Sequence, residues 1–313
     1  MKKIFIAGHK GMVGSAIFRK LKNKSNKIVM ANKKKLNLLN QKSVLSFFKK
    51  NKFDEVYLCA AKVGGIHANN TYVADFIYQN LEIQNNFIHS AYLAKVKKLM
   101  FLGSSCVYPK KPKIPIKEDY LLTGELENTN EMYAIAKIAG LKMCKAYNAQ
   151  FKTDFRAVMP TNLYGKNDNY DSLNSHVIAA LIKKIVLAKK QNKKSLIVWG
   201  TGKPKREFLH VDDLADATIK IMNLSKSKYI KIAGKKFPFI NIGSGSDISI
   251  KDLAKKISKI VGFKGKMIFD KSKPDGTFQK LMDNTKLKKI KWKPKISLNS
   301  GIKKTIEDFK ATI

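Results

Sequence analysis

Three polar residues near the middle of the chain can move a proton to or from a carbonyl oxygen: Ser104, Tyr133 and Lys137. Tyr133 and Lys137 are four apart in EMYAIAKIAGLKMCKAY, so a helix puts both on one face. A phenol holds its proton until about pH 10. A neighbouring ammonium is expected to favour the phenolate and bring that proton within reach of neutral pH. Ser104, at the end of the apolar run KLMFLG, can hydrogen-bond the same substrate oxygen. Together they make an acid for a carbonyl that receives a hydride.

The elements that must position this trio are readable. Helix 131–149 should be capped by Asn130, carries Glu131 in its first turn and has no proline in its body. IFIAG, KIVMAN, EVYLCAA, LMFLGSS and DFRAVMP read as short buried strands, separated by helical stretches such as 72–95. This alternation predicts an α/β fold: a Rossmann-like, doubly wound parallel sheet with ligands at the carboxyl ends of its strands. A smaller, discontinuous α/β C-terminal substrate lobe should complete it. We expect a dinucleotide domain over 1–165, with 207–222 and 237–243 returning to it, and a substrate lobe over most of 166–313. That lobe should hold a long helix from about His176 to Gln191 and a strand LIVWG.

Between the first strand and the helical SAIFRKLKN runs GHKGMVG, comprising Gly8, His9, Lys10, Gly11, Met12, Val13 and Gly14. Its glycines permit a tight turn and close approach to a pyrophosphate, which the following helix N-terminus attracts. An enzyme that prefers the non-phosphorylated cofactor usually places an acid after the second strand to hold the ribose. Here KIVMAN is followed by Lys33, Lys34 and Lys35 instead, and with Lys10 they would attract a 2′-phosphate. NADP(H) is the expected cofactor.

The strings GHKGMVGSAI, AAKVGGIHANN, FLGSSCVYPK, YAIAKIAG, VMPTNLYGKNDNY, SHVIAALIKK, VWGTGKPKREFLHVDDLADA and KPDGTFQKLMD resemble the extended short-chain dehydrogenase/reductases nearly end to end. Cys106 in SSC and His176 in NSHVI are similar to the branch acting on GDP-4-dehydro-6-deoxy-D-mannose. The resemblance implies inversion of C3 and C5 of that sugar, then reduction of C4. Cys106 and His176 match its acid/base pair; Ser104, Tyr133 and Lys137 match its reductive set. It further implies cofactor contacts at Leu102, Gly103, Ser104, Ser105, Lys137, Pro160, Thr161, Asn162, Leu163 and His176. Lys184, Trp199, Arg206, Asp275 and Lys280 would hold the nucleotide-sugar, with Lys184 standing where the resemblance leads one to expect arginine. It also implies a homodimer joined through helices 72–95 and 131–149.

The residues themselves support two chemistries. A hydrogen beside a ketone is acidic, and inversion there takes a base on one face and an acid on the other. Thiol and imidazole both exchange protons near neutrality. Without that pair, the alternative is another nucleotide-diphosphate-sugar 4-keto reductase or 4-epimerase. A non-catalytic cofactor sensor or RNA-binding protein on the same fold would have no use for the Ser-Tyr-Lys set.

Composition narrows the rest. The formal charge is +39, but 59 lysines accompany only three arginines, Arg19, Arg156 and Arg206. Base-reading surfaces favour the bidentate arginine fork, so no specific nucleic-acid partner is expected. Arg206, in the polar stretch KPKREFLH, suits a diphosphate. No apolar run approaches the roughly 20 residues that span a bilayer, and IFIAG is too short for a signal peptide. Cys59, Cys106 and Cys144 have no metal-ligand spacing, which fits a reducing, cytoplasmic setting without a bound metal.

Overall fold

The computed structural model describes residues 1–22, 24–171, 174–273 and 275–313; Pro274 of KPDGTFQKLMD therefore lies outside the described residues. In chain order the first layer set is β1 (Lys2–Ala7), α1 (Met12–Leu21), β2 (Asn26–Val29), α2 (Gln41–Asn51), β3 (Glu55–Leu58), α3 (Ile66–Thr71), α4 (Val73–Leu93), β4 (Lys98–Leu102), α5 (Glu131–Phe151) and β5 (Phe155–Pro160). Then come β6 (Asn162–Tyr164), α6 (Val177–Lys190), β7 (Ser195–Trp199), β8 (Lys205–His210), α7 (Val211–Met222), α8 (Lys226–Ala233) and β9 (Phe239–Ile242). The chain closes with β10 (Asp247–Ser249), α9 (Ile250–Val261), β11 (Lys266–Asp270), β12 (Gln279–Lys280), α10 (Thr285–Lys289) and α11 (Leu298–Lys310).

Six strands pair in the order β2-β1-β3-β4-β5-β9, all parallel. This is the doubly wound α/β architecture expected from the alternation of elements. The strands are mostly apolar on both faces because helices cover both: β3 and β5 are buried at every position, their Glu55 and Arg156 being ion-paired to Lys2 and Asp154. On one side Phe5, Phe48, Phe87 and Phe101 pack under α2, α4 and α5. On the other Ile4, Ile6, Met100 and Val158 pack under α1 and α7. Each such side chain contributes about 1.5–3 kcal/mol through burial.

The order reverses between β1 and β3, which opens a crevice beyond their carboxyl ends. Gly8 turns there at φ +81, and a Cβ on it would meet the backbone of Ala60 at 2.7 Å. A Cβ on Gly14 would run into the Gly8 carbonyl, so α1 can sit this close to the sheet only with glycine.

A second layer faces the crevice. β8 pairs with β10, β12 and β6, while β7 pairs with β11. Behind them α6, α9 and α11 share an apolar core that includes Ile182, Ile257 and Ile306. The segment 207–222 enters as the end of β8, in this small sheet, followed by α7 against α1. Segment 237–243 contributes β9 to the six-stranded sheet. Thr161 Oγ1 and Asn162 Nδ2 both donate to the Glu207 carbonyl, at 3.1 and 2.9 Å, and so tie the two layers at the mouth of the crevice.

Candidate active site

β4 ends at Leu102, two residues short of Ser104, where the sequence reading ended it, and Ser104 opens a 3₁₀ turn over Ser105–Val107. Its Oγ accepts from the Cys106 amide at 3.4 Å, so serine and cysteine are held by the same turn. α5 delivers Tyr133 and Lys137 opposite. Lys137 is buried, donates to the Leu102 carbonyl at 2.8 Å, and stands 5.7 Å from the centre of the Tyr133 ring. His176 is the residue before α6; its side chain makes no cap and no hydrogen bond among the described residues, leaving both ring nitrogens free.

All five line one cavity of about 1070 Å³. Every residue of the Gly8–Gly14 loop lines it, as do Lys33, Leu102–Ser105, Pro160–Leu163, Lys184, Trp199, Arg206, Asp275 and Lys280. Lys34 and Lys35 do not. Trp199 leaves 46% of its surface open, with the Lys184 and Lys273 ammonium groups 4.9 and 5.6 Å from its ring centre. It is therefore no core residue. Arg206 makes no pair with Glu207, which is fully buried and accepts from the Gly245 and Met282 amides. Arg206 donates instead to the carbonyls of Lys205 and Asp275, and Asp275 is held by the Thr201 amide and hydroxyl, both at 2.7 Å.

Two expectations fail. Asn130 precedes α5 but does not cap it: at φ −140 and ψ 19 its side chain turns away, and its buried Oδ1 has no partner among the described residues. The ammonium does not bring the phenol toward neutrality either. Burial pushes Tyr133 well up, the nearby Cys106 sulfur adds to this, and only the Ser104 hydroxyl acts the other way. Lys137 itself falls to about 8, mainly from burial. Desolvation dominates both groups, and the ammonium spends its short contact on the Leu102 carbonyl. Tyr133 is thus set up as a proton donor rather than as a standing phenolate.

Burial also raises the Cys106 thiol, opposed by the Ser104 hydroxyl and then by the Lys280 and Lys137 ammonium groups. Desolvation lowers His176, yet its surface stays exposed to the cavity, so water tempers that effect.

The dinucleotide end fits a phosphorylated cofactor. The first turn of α1 has no side-chain cap and no acid, leaving amides and helix dipole for a pyrophosphate. His9 Nδ1 is buried there without a partner among the described residues. Lys10 and Lys33 stand exposed on the rim, and no acid lines the wall after β2. Sequence reasoning missed Asn32, Asn37 and Leu38 on this wall, and Ala60–Gly65 after β3. The last group follows from the strand-end rule; the first lies in irregular chain with no motif. Glu127, Thr129 and Thr277 on the opposite wall were also missed, and nothing in their spacing marks them. Among the described residues no cluster of three metal-ligating side chains occurs, and no helix is long and apolar enough to cross a membrane.

Fold and cavity define a Rossmann-type oxidoreductase with a Ser-Tyr-Lys set and an added thiol and imidazole. The NAD dependent epimerase/dehydratase family model matches residues 4–233, and the chain belongs to that family. The chain is 52% identical to the GDP-L-fucose synthase of Escherichia coli (strain K12), over 98% of this chain and 96% of that one. Among solved structures, the GDP-6-OMe-4-keto-L-xylo-heptose reductase from C. jejuni superposes with a TM-score of 0.94 at 42% identity, covering 100% of this chain and 98% of that one. The GDP-L-fucose synthetase from Naegleria fowleri bound to NADP gives 0.88 at 28% identity, covering 99% and 94%.

Proposed function

We propose that the chain is a bifunctional 3,5-epimerase and NADPH-dependent 4-reductase that converts GDP-4-dehydro-6-deoxy-D-mannose to GDP-L-fucose. The observation that carries this reading is the convergence of Cys106 and His176 on the cavity that holds Ser104, Tyr133 and Lys137. A plain reductase needs only the last three. The identity with GDP-L-fucose synthases along almost the whole chain supports it.

The sugar's keto oxygen is received by Ser104 and Tyr133. Cys106, from the turn after β4, and His176, from the start of α6, serve the two faces of the sugar ring. One of them removes the hydrogen at C3 or C5, and the electron pair passes to the C4 oxygen. The other returns a proton from the opposite face, inverting the carbon. Tyr133 then gives its proton to the C4 oxygen as hydride reaches C4, while Lys137 orients the Tyr133 end of the cavity through its bond to Leu102. A dinucleotide would be held by the Gly8–Gly14 loop, with Lys10 and Lys33 toward its 2′-phosphate, and would supply that hydride. Trp199 and Lys184 take the base, and Arg206 the diphosphate. The chain acts in the cytoplasm as a homodimer through α4 and α5, on which Tyr78, Leu93, Ile135 and Phe151 are exposed apolar residues. Residues 1–165 with α7 and β9 form the cofactor domain, and most of 166–313 the substrate lobe.

Incubation with GDP-4-dehydro-6-deoxy-D-mannose and NADPH in deuterated water tests the reading. GDP-L-fucose carrying deuterium at C3 and C5 supports both steps. Reduction without exchange overturns the epimerase half and favours a plain 4-keto reductase. The likeness to the C. jejuni heptose reductase makes GDP-linked 4-keto-heptoses the second substrates to assay.

A further inference from the structure

The turn that carries Cys106 is held lightly from within. The Cys106 amide reaches the Ser104 hydroxyl at 3.4 Å, and the Val107 amide reaches the Ser104 carbonyl at 3.3 Å. Both lie beyond the usual range for such bonds. Val107 is buried in the core under α5, but apolar packing is non-directional and does not fix how the turn is rotated. Among the described residues, the bond nearest to Cys106 that leaves the turn is made by Tyr108. This residue is only 2% exposed, and its phenol donates to Asn241 Oδ1 at 2.5 Å.

Asn241 is an unusual occupant of its site. It lies in β9, the edge strand of the six-stranded sheet, and is fully buried. Phe239, two residues earlier and so on the same face, belongs to the apolar core that includes Tyr108, Ile116 and Met282. A leucine there would need no partner, whereas a buried amide is costly unless its ends are bonded. Here both ends are bonded: Oδ1 accepts from the phenol, and Nδ2 donates to the Ile116 carbonyl at 2.9 Å. The backbone amide of Asn241 donates to Glu118 Oε1 at 3.0 Å. Ile116 is clamped in turn. Its amide donates to the Leu281 carbonyl at 2.7 Å, and its carbonyl also accepts from the Asp283 amide at 2.8 Å. The Asn241 side chain thus bonds both ends of segment 108–116, and nothing else among the described residues.

We propose that Asn241 is a positioning residue for epimerisation: through Tyr108 it fixes the orientation of the Cys106 turn toward the sugar. The inference rests on the epimerase reading. Proton transfer needs donor and acceptor about 2.6–3.2 Å apart, so a small rotation of the sulfur is enough to impair it. The reductive set is anchored elsewhere. Tyr133 and Lys137 come from α5, and Ser104 follows Gly103, whose amide donates to the Val158 carbonyl at 2.9 Å. Loosening the Tyr108–Asn241 bond therefore costs proton exchange at C3 and C5 more than reduction at C4.

Tyr108→Phe, Asn241→Leu and the double variant, all in the full-length protein, separate positioning from stability. Each single variant leaves one buried group unpaired. The double leaves neither, because the Ile116 carbonyl keeps the Asp283 amide, so it should regain melting temperature lost in the singles. Each would be given GDP-4-dehydro-6-deoxy-D-mannose and NADPH in deuterated water. NMR then compares GDP-L-fucose with 4-reduced sugar that has kept its original C3 and C5. The share of uninverted product should rise about tenfold, the weight of one hydrogen bond, and stay raised in the double. A share unchanged from wild type overturns the proposal, as does one that returns to wild type along with the melting temperature. Iodoacetamide alkylation in the absence of sugar, mapped to Cys106 by mass spectrometry, reads the turn directly. It should be several-fold faster in all three variants at one pH, with buried Cys144 unchanged as the reference. Alkylation of Cys106 at the wild-type rate throughout overturns the proposal as well. Faster alkylation, with no deuterium exchange in wild type, leaves the positioning standing and removes the epimerase reading instead.

Discussion

The two walls of the cavity are built by opposite means. On the sheet side, Ser104, Cys106, Tyr133 and Lys137 sit on a 3₁₀ turn and a 21-residue helix packed against buried strands. The Ser104 hydroxyl and the Lys137 ammonium are tied to the backbone, and burial moves Cys106, Tyr133 and Lys137 from their ordinary values. On the other side, Lys184, Trp199, Arg206, Asp275 and Lys280 hang from a helix, from two- to six-residue strands and from the loops between them. Trp199 is half open, and among the described residues the one hydrogen bond of Lys184 is to the Ile197 carbonyl, at 3.4 Å. Preorganisation thus belongs to the wall that does chemistry, while the wall that reads the ligand stays open to it. Substitutions on the first should change turnover; those on the second should change affinity.

The largest expected effect is on the first wall. Tyr133→Phe should cut reduction about 10²–10⁴-fold, the usual weight of a general acid. Solvent deuterium should still enter C3 and C5, because Cys106 and His176 remain. Stopped reduction with continued exchange, measured in one NMR series, separates the two steps; loss of both in a folded protein would join them.

Cys106→Ser comes next and tests the same wall from the other side. A serine hydroxyl keeps the turn but ionises far less readily than a thiol, so exchange at C3 and C5 should fall at least about tenfold. Some unepimerised 4-keto sugar should still be reduced. GDP-L-fucose formed at the wild-type rate would leave Cys106 a filler of the turn.

The same contrast governs what could be read from the amino acids. Tyr133, Lys137 and the glycine loop were legible because a helix and a strand-turn-helix give spacing a chemical meaning, and β3 and β5 because their short apolar runs are interrupted only by Glu55 and Arg156. The Asn130 cap was misjudged because capping preference is local, while the packing of α3 against 128–130 is tertiary. The phenol's direction was misjudged for a related reason. Spacing reveals that a lysine is near; it does not reveal that burial sets the direction for both groups. The place of Lys280 opposite Arg206 depends on β12 meeting β8 across 74 residues of chain, and the bond from Thr277 to Glu127 spans 150; no local pattern encodes either meeting.

On the open wall, Trp199→Ala should raise KM for the nucleotide-sugar about tenfold with kcat little changed, the scale of a cation–π or stacking contact. Lys184→Arg should lower KM a few-fold, since a planar fork lies flatter on the Trp199 ring than an ammonium does. Steady-state kinetics on the pair would show whether the comparison holds. A collapse of kcat in Trp199→Ala would mean that this wall also positions the reacting centre.

The smallest effect isolates the electrostatic cost stored in the first wall. Lys137 titrates at about 8 in the folded protein, against 10.5 when unburied. Between these values the unfolded chain binds the proton and the folded one does not, so the contribution of Lys137 to stability rises with pH across that window. Below about pH 8 the folded protein carries the full penalty of a buried ammonium. Lys137→Met removes that penalty at every pH and also loses the bond to Leu102, a loss that does not depend on pH. The melting temperature of wild type minus that of Lys137→Met should therefore climb by a few degrees from pH 7.5 to 10, a shift of about 2–4 °C per kcal/mol in a chain of this size. A difference that stays flat would show that the ammonium is solvated through the cavity. A difference that falls would reverse the sign, placing Lys137 beside an anion in the folded state.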